Sequence, residues 1–128
     1  MTTEELNQLS GQILDAAIAV HKSMGPGLLE AVYHHCLLDE LRSRNIQVDT
    51  IVPVPLVYKG KALDKDYIID LLVENEVILE LKSIEGILPI HEAQLISYLK
   101  LADKRLGFLI NFNVPLMKQG FRRFVNKL

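Results

Sequence analysis

Two carboxylates and a lysine lie inside apolar segments near the middle of the chain. Asp70 interrupts DYIIDLLV, and Glu80 and Lys82 interrupt VILELK. A charged side chain in an apolar strand is costly unless it is paired or binds a metal ion. Carboxylate oxygens suit Mg²⁺ or Mn²⁺, and a nearby ammonium group can activate a water or stabilise charge that develops on a phosphoryl group. These three residues are therefore candidates for metal-dependent phosphoryl chemistry.

A contact between Asp70 and Glu80 depends on the turn that joins their strands. Side chains alternate between the faces of a strand, so Glu80 and Lys82 share a face. Asp70 joins them only if residues that lie opposite each other across the hairpin have numbers that sum to an even value, as 70 and 80 do. This requires a loop with an odd number of residues, such as 74–76. A two-residue turn would separate the two carboxylates, barring a bulge. We predict the odd loop; the spacing leaves open a cross-strand ion pair on a solvated face.

The elements around these residues are predicted from hydrophobic periodicity and from breakers. Helices are predicted at 3–22, about 28–44 and about 89–103, and strands from about 47 to 58 and at 66–73, 76–83, 105–112 and 121–126. Pro53 and Pro55 cannot donate to a ladder, which predicts an edge or bent first strand. The strands at 76–83 and 105–112 are joined through a helix and should be parallel. The order predicts a mixed α/β fold, with a mixed central sheet flanked by helices.

Length and composition are those of an ordinary globular protein. The 128 residues fit a single domain, 1–128, and 49% of them are apolar. No apolar run reaches the roughly 20 residues that cross a bilayer, and the first residues lack the pattern of a signal peptide. The single cysteine, Cys36, fits a reducing compartment, so we expect a cytoplasmic protein. A net charge of −2 argues against a strongly basic nucleic-acid binder but does not exclude a nuclease.

Several segments together resemble the GxxExxY protein family. The signature is Gly27-Leu-Leu-Glu30-Ala-Val-Tyr33, and the similarity extends through Asp70-Leu-Leu-Val and Glu80-Leu-Lys82. Further matching segments are PVP at 53–55, VYKG at 57–60, LPIHEAQL at 88–95 and LINFNVP at 109–115. This family is similar to the PD-(D/E)XK nuclease superfamily, which implies a restriction-endonuclease-like core. Ile69 stands where that superfamily often has a proline before its aspartate.

The resemblance implies roles for five residues. Asp70 and Glu80 would be metal ligands, Lys82 the catalytic lysine, Glu30 a further acidic residue near the metal, and Gln94 a polar site residue. The metal set is then Asp70, Glu80 and Glu30, and the ion Mg²⁺ or Mn²⁺.

The same residues also have structural interpretations. A carboxylate such as Glu30 is favoured in the first turn of a helix without further duty. Gln94 shares a helical stripe with His91 and Tyr98, whose roles stay open. We expect Tyr33 to support the site rather than act in it, and Glu74 and Glu76 to be solvated turn residues. No role is expected for the histidines at 21, 34 and 35.

Two functions fit these observations. The first is a metal-dependent nuclease that hydrolyses phosphodiester bonds, with DNA favoured over RNA as its substrate. The second is a catalytically inactive module that keeps the fold and binds nucleic acid or protein. Nucleases of this size often need a dimer or a partner to contact enough duplex, so a homodimer or partner protein is expected, and no membrane. Strandedness, cutting mode and specificity are not encoded in these patterns.

Overall fold

A computed structural model describes all residues, 1–128. Its elements are α1 (Thr3–Met24), α2 (Glu30–Ser43), β1 (Val48–Tyr58), β2 (Lys61–Val73), β3 (Val77–Lys82), α3 (Pro89–Leu101), β4 (Leu106–Asn111), α4 (Met117–Gly120) and β5 (Phe121–Val125). Thr2 and Glu5 form the capping box that starts α1. None of the helices combines the length and the apolar character that crossing a membrane requires.

The five strands form one mixed sheet in the order β1-β2-β3-β4-β5. β3 and β4 are parallel, as the intervening helix predicts, and all other neighbours are antiparallel. β1 lies at an edge of the sheet, where its two prolines leave no central ladder bond unmade. The predicted α/β class, a mixed sheet flanked by helices, is therefore confirmed.

Two elements differ from the sequence prediction. β2 begins at Lys61 rather than at 66, because the exposed residues 61–66 continue the hairpin with β1 beyond the body of the protein. The four-residue helix α4 was not predicted, because so short a segment shows no helical periodicity. The remaining boundaries agree to within about two residues.

The sheet separates two groups of buried apolar side chains. On one face, α1 and α2 pack against alternate residues of β3 and β4, including Leu79, Leu81 and Phe108. On the other face, Leu95 and Leu99 of α3 pack against Ile78 and Leu109. Because both faces are covered, β3 and β4 are apolar along nearly their whole length. Glu80, Lys82 and Asn111 are the exceptions.

The β1–β2 pair exchanges faces at Ile51 and Asp70. Leu71 packs on the α1/α2 face, whereas Ile69, two residues earlier, packs on the α3 face. Strict alternation would place both on one face. The pairing register continues on both sides of this point but skips Ile51 and Asp70 themselves, and Ile51 has a positive φ of 53°. The exchange of faces therefore occurs at Asp70, which is one of the two candidate carboxylates.

Candidate active site

Asp70 lies at the fork where β2 separates from β3. The loop 74–76 has three residues, and Leu71–Leu79 is the last backbone pair of the two strands. Beyond it, the Asp70 side chain takes the place of the ladder, because its Oδ2 accepts a hydrogen bond of 2.9 Å from the Leu81 backbone N–H. The predicted odd loop is confirmed, and the bond to Leu81 fixes the Asp70 carboxylate beside β3.

Glu80 is a buried carboxyl group, with 8% of the residue exposed. The Tyr67 hydroxyl donates a hydrogen bond of 2.5 Å to the Glu80 Oε1, and the nearby Asp70 carboxylate raises the pKa of Glu80. None of the ion pairs in the protein involves Asp70, Glu80 or Lys82. The alternative of a cross-strand ion pair on a solvated face is therefore wrong. The half-buried Lys82 keeps its ammonium group free of protein carboxylates.

The site holds more negative charge than Lys82 balances. Burial, and then the nearby Asp70 carboxylate, raise the pKa of Glu80 from 4.5 to about 8. Partial desolvation and the same Asp70 charge also raise the pKa of Glu30, while Lys82 acts in the opposite direction. Burial and the charge of Glu80 raise the pKa of Tyr67. One carboxyl group of the Asp70–Glu80 pair is therefore protonated near neutral pH.

The donor chemistry of this pair fits a divalent cation. Two neighbouring carboxyl groups offer hard oxygen ligands, and a cation would replace the proton that burial of Glu80 and the Asp70 charge favour. Mg²⁺ is commonly held by one or two carboxylates, with waters and substrate phosphate completing its shell. No group of three or more His, Cys, Asp or Glu side chains is arranged to hold a metal ion. Asp70 and Glu80 are the carboxyl groups that could hold an ion here, and Glu30 interacts electrostatically with Asp70 and Lys82.

Glu30 is positioned by the glycine-rich turn before α2. The buried Tyr33, stacked on Phe112, donates a hydrogen bond of 2.5 Å to the Gly25 carbonyl and accepts one of 3.1 Å from the Leu28 N–H. Gly27 has a φ of 91°, which side-chain-bearing residues rarely adopt. Tyr33 therefore supports the turn that places Glu30 in the first turn of α2, facing the charges of Asp70 and Lys82.

Gln94 lies on α3, across a small cavity from the carboxylates. This cavity, of about 100 Å³, is lined by Tyr67, Ile68, Glu80, Lys82, His91, Gln94, Leu95, Tyr98 and Leu109. The Gln94 side chain is exposed and has no hydrogen-bond partner within the protein. His91 accepts a hydrogen bond from the Leu88 N–H, which caps the start of α3. Tyr98 stacks on Tyr67. The helix thus presents Gln94 to the cavity as an exposed polar group without a protein partner.

Two residues that contact the site were missed from the sequence. Tyr67 donates a hydrogen bond to Glu80. The face exchange at Asp70 brings Tyr67 to the face of Glu80, and the doublets Ile68-Ile69 and Leu71-Leu72 are the signal of that exchange in the sequence. His34, for which no role was expected, binds the Thr50 hydroxyl at 2.7 Å, and Thr50 contacts the Asp70 carbonyl at 3.3 Å. Its position one turn after Glu30 was visible in the sequence.

The turn carboxylates are less solvated than predicted. Glu74 accepts a hydrogen bond of 2.9 Å from the Gln47 N–H, and Glu76 contacts the N-terminal amine at 3.2 Å. Glu74 and Asn75 both have positive φ, as the three-residue loop requires. These carboxylates stabilise the hairpin and do not approach the site.

Comparison with known proteins gives one result. The family model described as the PD-(D/E)XK nuclease superfamily matches residues 7–124, which is nearly the whole chain. No curated protein and no solved structure shows a significant match to this chain. The matched range includes both carboxylates, the lysine and the two helices that face them.

Proposed function

The chain belongs to the PD-(D/E)XK nuclease superfamily, and on that premise we propose that it is a Mg²⁺- or Mn²⁺-dependent nuclease that hydrolyses phosphodiester bonds. The observation that carries this proposal is the convergence of Asp70, Glu80 and Lys82 at the strand fork. The Leu81 N–H holds the Asp70 carboxylate beside β3, and Lys82, which forms no ion pair, lines the same cavity as Glu80. The match to the superfamily model supports nuclease chemistry in general. The roles of the individual site residues are our proposal.

The two carboxylates would hold the metal ion. When bound, a divalent ion supplies Lewis-acid activation of a phosphoryl oxygen and of a water. The bond from the Leu81 N–H orients Asp70, and the bond from Tyr67 orients Glu80. Both carboxylates therefore keep fixed rotamers, and little reorganisation is required when the ion and the substrate enter.

Lys82 would act on the phosphoryl group or on the attacking water. It shares a face of β3 with Glu80 and lines the same cavity. An ammonium group that is half-buried and free of carboxylate partners stabilises developing negative charge more strongly than an exposed one. Glu30 would assist from α2, and Gln94 would position substrate or water from α3.

We also propose the finer assignments that the superfamily match leaves open. The segment from Gly27 to Tyr33 supports membership of the GxxExxY branch, because each of its defining residues has a structural or site role: Gly27 in the turn, Glu30 at the site and Tyr33 as the anchor. DNA is favoured over RNA as the substrate, the cytoplasm is the proposed location, and a homodimer or partner would complete the substrate surface.

The second candidate is an inactive module that binds nucleic acid or protein. Two observations favour it: the Glu80 carboxyl is already hydrogen-bonded to Tyr67, and its pKa is raised to about 8. A pair that retains its proton at neutral pH would bind metal weakly. The two candidates therefore differ in whether a cation can displace that proton.

A cleavage screen tests the proposal. Purified protein would be incubated with Mg²⁺ or Mn²⁺ and with single- and double-stranded DNA and RNA, both linear and circular. We expect metal-dependent cleavage that is lost in Asp70→Asn and in Lys82→Met. Absence of cleavage of every substrate would favour the inactive module, and full activity of Lys82→Met would remove the lysine from the mechanism.

A further inference from the structure

A second cavity, of about 510 Å³, lies directly beside the proposed active site. It is lined by Gly27, Leu28, Leu29, Val32, Ser83 and Asn113. Leu29 precedes Glu30 in the chain, and Ser83 follows Lys82, so two separate segments join the cavity to the site. We propose that this cavity, called here the base cavity, binds an unpaired nucleobase that carries an exocyclic amino group, next to the cleaved phosphate. The inference rests on the proposed nuclease function and names the substrate class as nucleic acid with an unpaired base.

The apolar part of the base cavity is suited to the face of a base. Leu28 and Leu29 are 38% and 76% exposed, although both lie beside a charged site. The turn does not need these two side chains for its conformation, because Tyr33 and Ser83 hold it through the Leu28 backbone. Pockets for flat organic ligands are lined mainly by apolar side chains, with a few polar groups that fix orientation. A nucleobase needs that combination.

The polar part of the base cavity offers acceptors. The Asn113 amide nitrogen donates to the Ile84 carbonyl at 3.2 Å, which orients the amide, since a carbonyl cannot donate. The Ser83 hydroxyl donates to the Leu28 carbonyl at 2.5 Å. The Asn113 Oδ1 has no partner within the protein, and the Ser83 oxygen retains lone pairs. Both atoms can therefore accept from an N–H group of a ligand.

This polarity selects among the bases. Adenine, cytosine and guanine each carry an exocyclic amino group with two N–H bonds, which can donate to both acceptors, whereas thymine and uracil offer one ring N–H between two carbonyl oxygens. A thymine can therefore donate to only one of the two acceptors, and a carbonyl oxygen then faces the other. One hydrogen bond of about 1.4 kcal/mol corresponds to about a tenfold preference. A duplex covers the faces of its bases by stacking, so an unpaired base is the form whose face can enter the cavity.

The walls of the base cavity are fixed before a ligand arrives. Tyr33 and Ser83 together bind the backbone at Gly25 and Leu28, and the buried Asn111 binds the backbone of Ile84 and Asn113. Both walls are thus anchored to the ends of α2, β3 and β4. A site that is already ordered loses less entropy on binding.

Nucleoside monophosphates test this inference without requiring cleavage. With EDTA present, dAMP, dCMP, dGMP and dTMP would be titrated into ¹⁵N-labelled protein, with AMP and UMP as the RNA arm. We expect shifts of the Ser83 and Asn113 amide signals and an affinity for dAMP or dCMP about tenfold higher than for dTMP. Leu29→Glu should abolish these shifts, and the matched control Leu116→Glu, at an exposed leucine outside the cavity, should not.

The outcomes separate this inference from the proposed nuclease function. Equal affinity for dAMP and dTMP, or unchanged binding by Leu29→Glu, would overturn the base cavity even if the protein cleaves nucleic acid. Selective binding of dAMP or dCMP would support the base cavity even if no substrate is cleaved. In that case only the proposed nuclease function would be wrong. If neither binding nor shifts occur, the base cavity is wrong.

Discussion

Tyr67 favours the ionised form of the Glu80 carboxyl. Its hydrogen bond of 2.5 Å stabilises the charged form and so lowers the pKa of Glu80, against the larger effects of burial and Asp70. The residue is itself held by stacking on Tyr98 and by burial against α3. Tyr67 is therefore a positioning residue for a proposed metal ligand.

Replacing Tyr67 with phenylalanine should shift the pH at which the site binds metal. Without the hydroxyl, the pKa of Glu80 rises further, and we expect the pH midpoint of Mn²⁺ binding to move up by about one unit, since a hydrogen bond is worth about 1–1.5 kcal/mol. Calorimetric titration with Mn²⁺ at several pH values measures this midpoint. The control is Tyr58→Phe, at an exposed tyrosine outside the site, and equal midpoints for wild type and Tyr67→Phe would refute the role.

The raised pKa of Glu80 also makes stability depend on pH. In the unfolded chain the pKa is near 4.5, whereas in the folded protein it is about 8. The stability that the protonated group contributes is complete below about pH 4.5 and is lost as the pH rises to about 8, by at most about 1.4 kcal/mol per unit. We therefore expect the free energy of unfolding, measured with urea in EDTA, to fall over this range.

The variant Glu80→Gln provides the comparison for that measurement. Its amide has a similar shape but does not titrate, so its free energy of unfolding should change less between about pH 5 and pH 8. Parallel curves for the two proteins would show that Glu80 does not carry the pH dependence.

At the level of elements, the Gly25–Leu29 turn links the start of α2 to the end of β3. Tyr33 holds the Gly25 carbonyl and the Leu28 N–H, and Ser83 holds the Leu28 carbonyl. No side chain caps α2 at Leu29, and these bonds instead fix the turn that leads into the helix. The position of Glu30 depends on them.

Tyr33→Phe should therefore weaken both the fold and the site. We expect the free energy of unfolding to fall by about 1–3 kcal/mol, because the Gly25 carbonyl and the Leu28 N–H lose their partner beside a buried ring. Urea denaturation measures this loss. The rate of metal-dependent cleavage should fall as Glu30 loses its fixed position, whereas Tyr58→Phe should alter neither quantity. A Tyr33→Phe protein with wild-type stability would contradict the anchoring role.

The sequence was sufficient for the elements that carry long, regular patterns. The three long helices and the parallel β3–β4 pair follow from periodicity and from the intervening helix, and the odd loop follows from the condition that Asp70 and Glu80 share a face. The face exchange at Asp70 was not predicted, because the doublets at 68–69 and 71–72 are a short signal and the exchange depends on the positive φ of Ile51 in the neighbouring strand. Tyr67 was missed for the same reason, since strict alternation places it away from Glu80.

At the scale of the whole molecule, the site lies where both layers of the protein meet. Glu30 comes from α2 on one face of the sheet, and Gln94 comes from α3 on the other. Asp70 and Glu80 bridge them at the strand fork. Any opening of either layer would therefore separate the proposed catalytic groups.

We propose that residues 1–128 form a single domain and should unfold together. The two buried clusters share β2, β3 and β4, so losing one exposes apolar surface of the other. Thermal unfolding monitored by near- and far-UV circular dichroism should give coincident single transitions. Two resolved transitions would show that the α3 layer and the α1/α2 layer are independent units.

The measurement that tests the central claim most directly is calorimetric titration of the metal-free protein with Mn²⁺. We expect one ion to bind per chain, with the affinity reduced at least about tenfold by Asp70→Asn and by Glu80→Gln, because each removes one of two carboxylate ligands. The control Asp15→Asn, at an exposed residue of α1, should bind as wild type does. No binding by the wild-type protein, or equal binding by Asp70→Asn, would contradict a metal site at this pair.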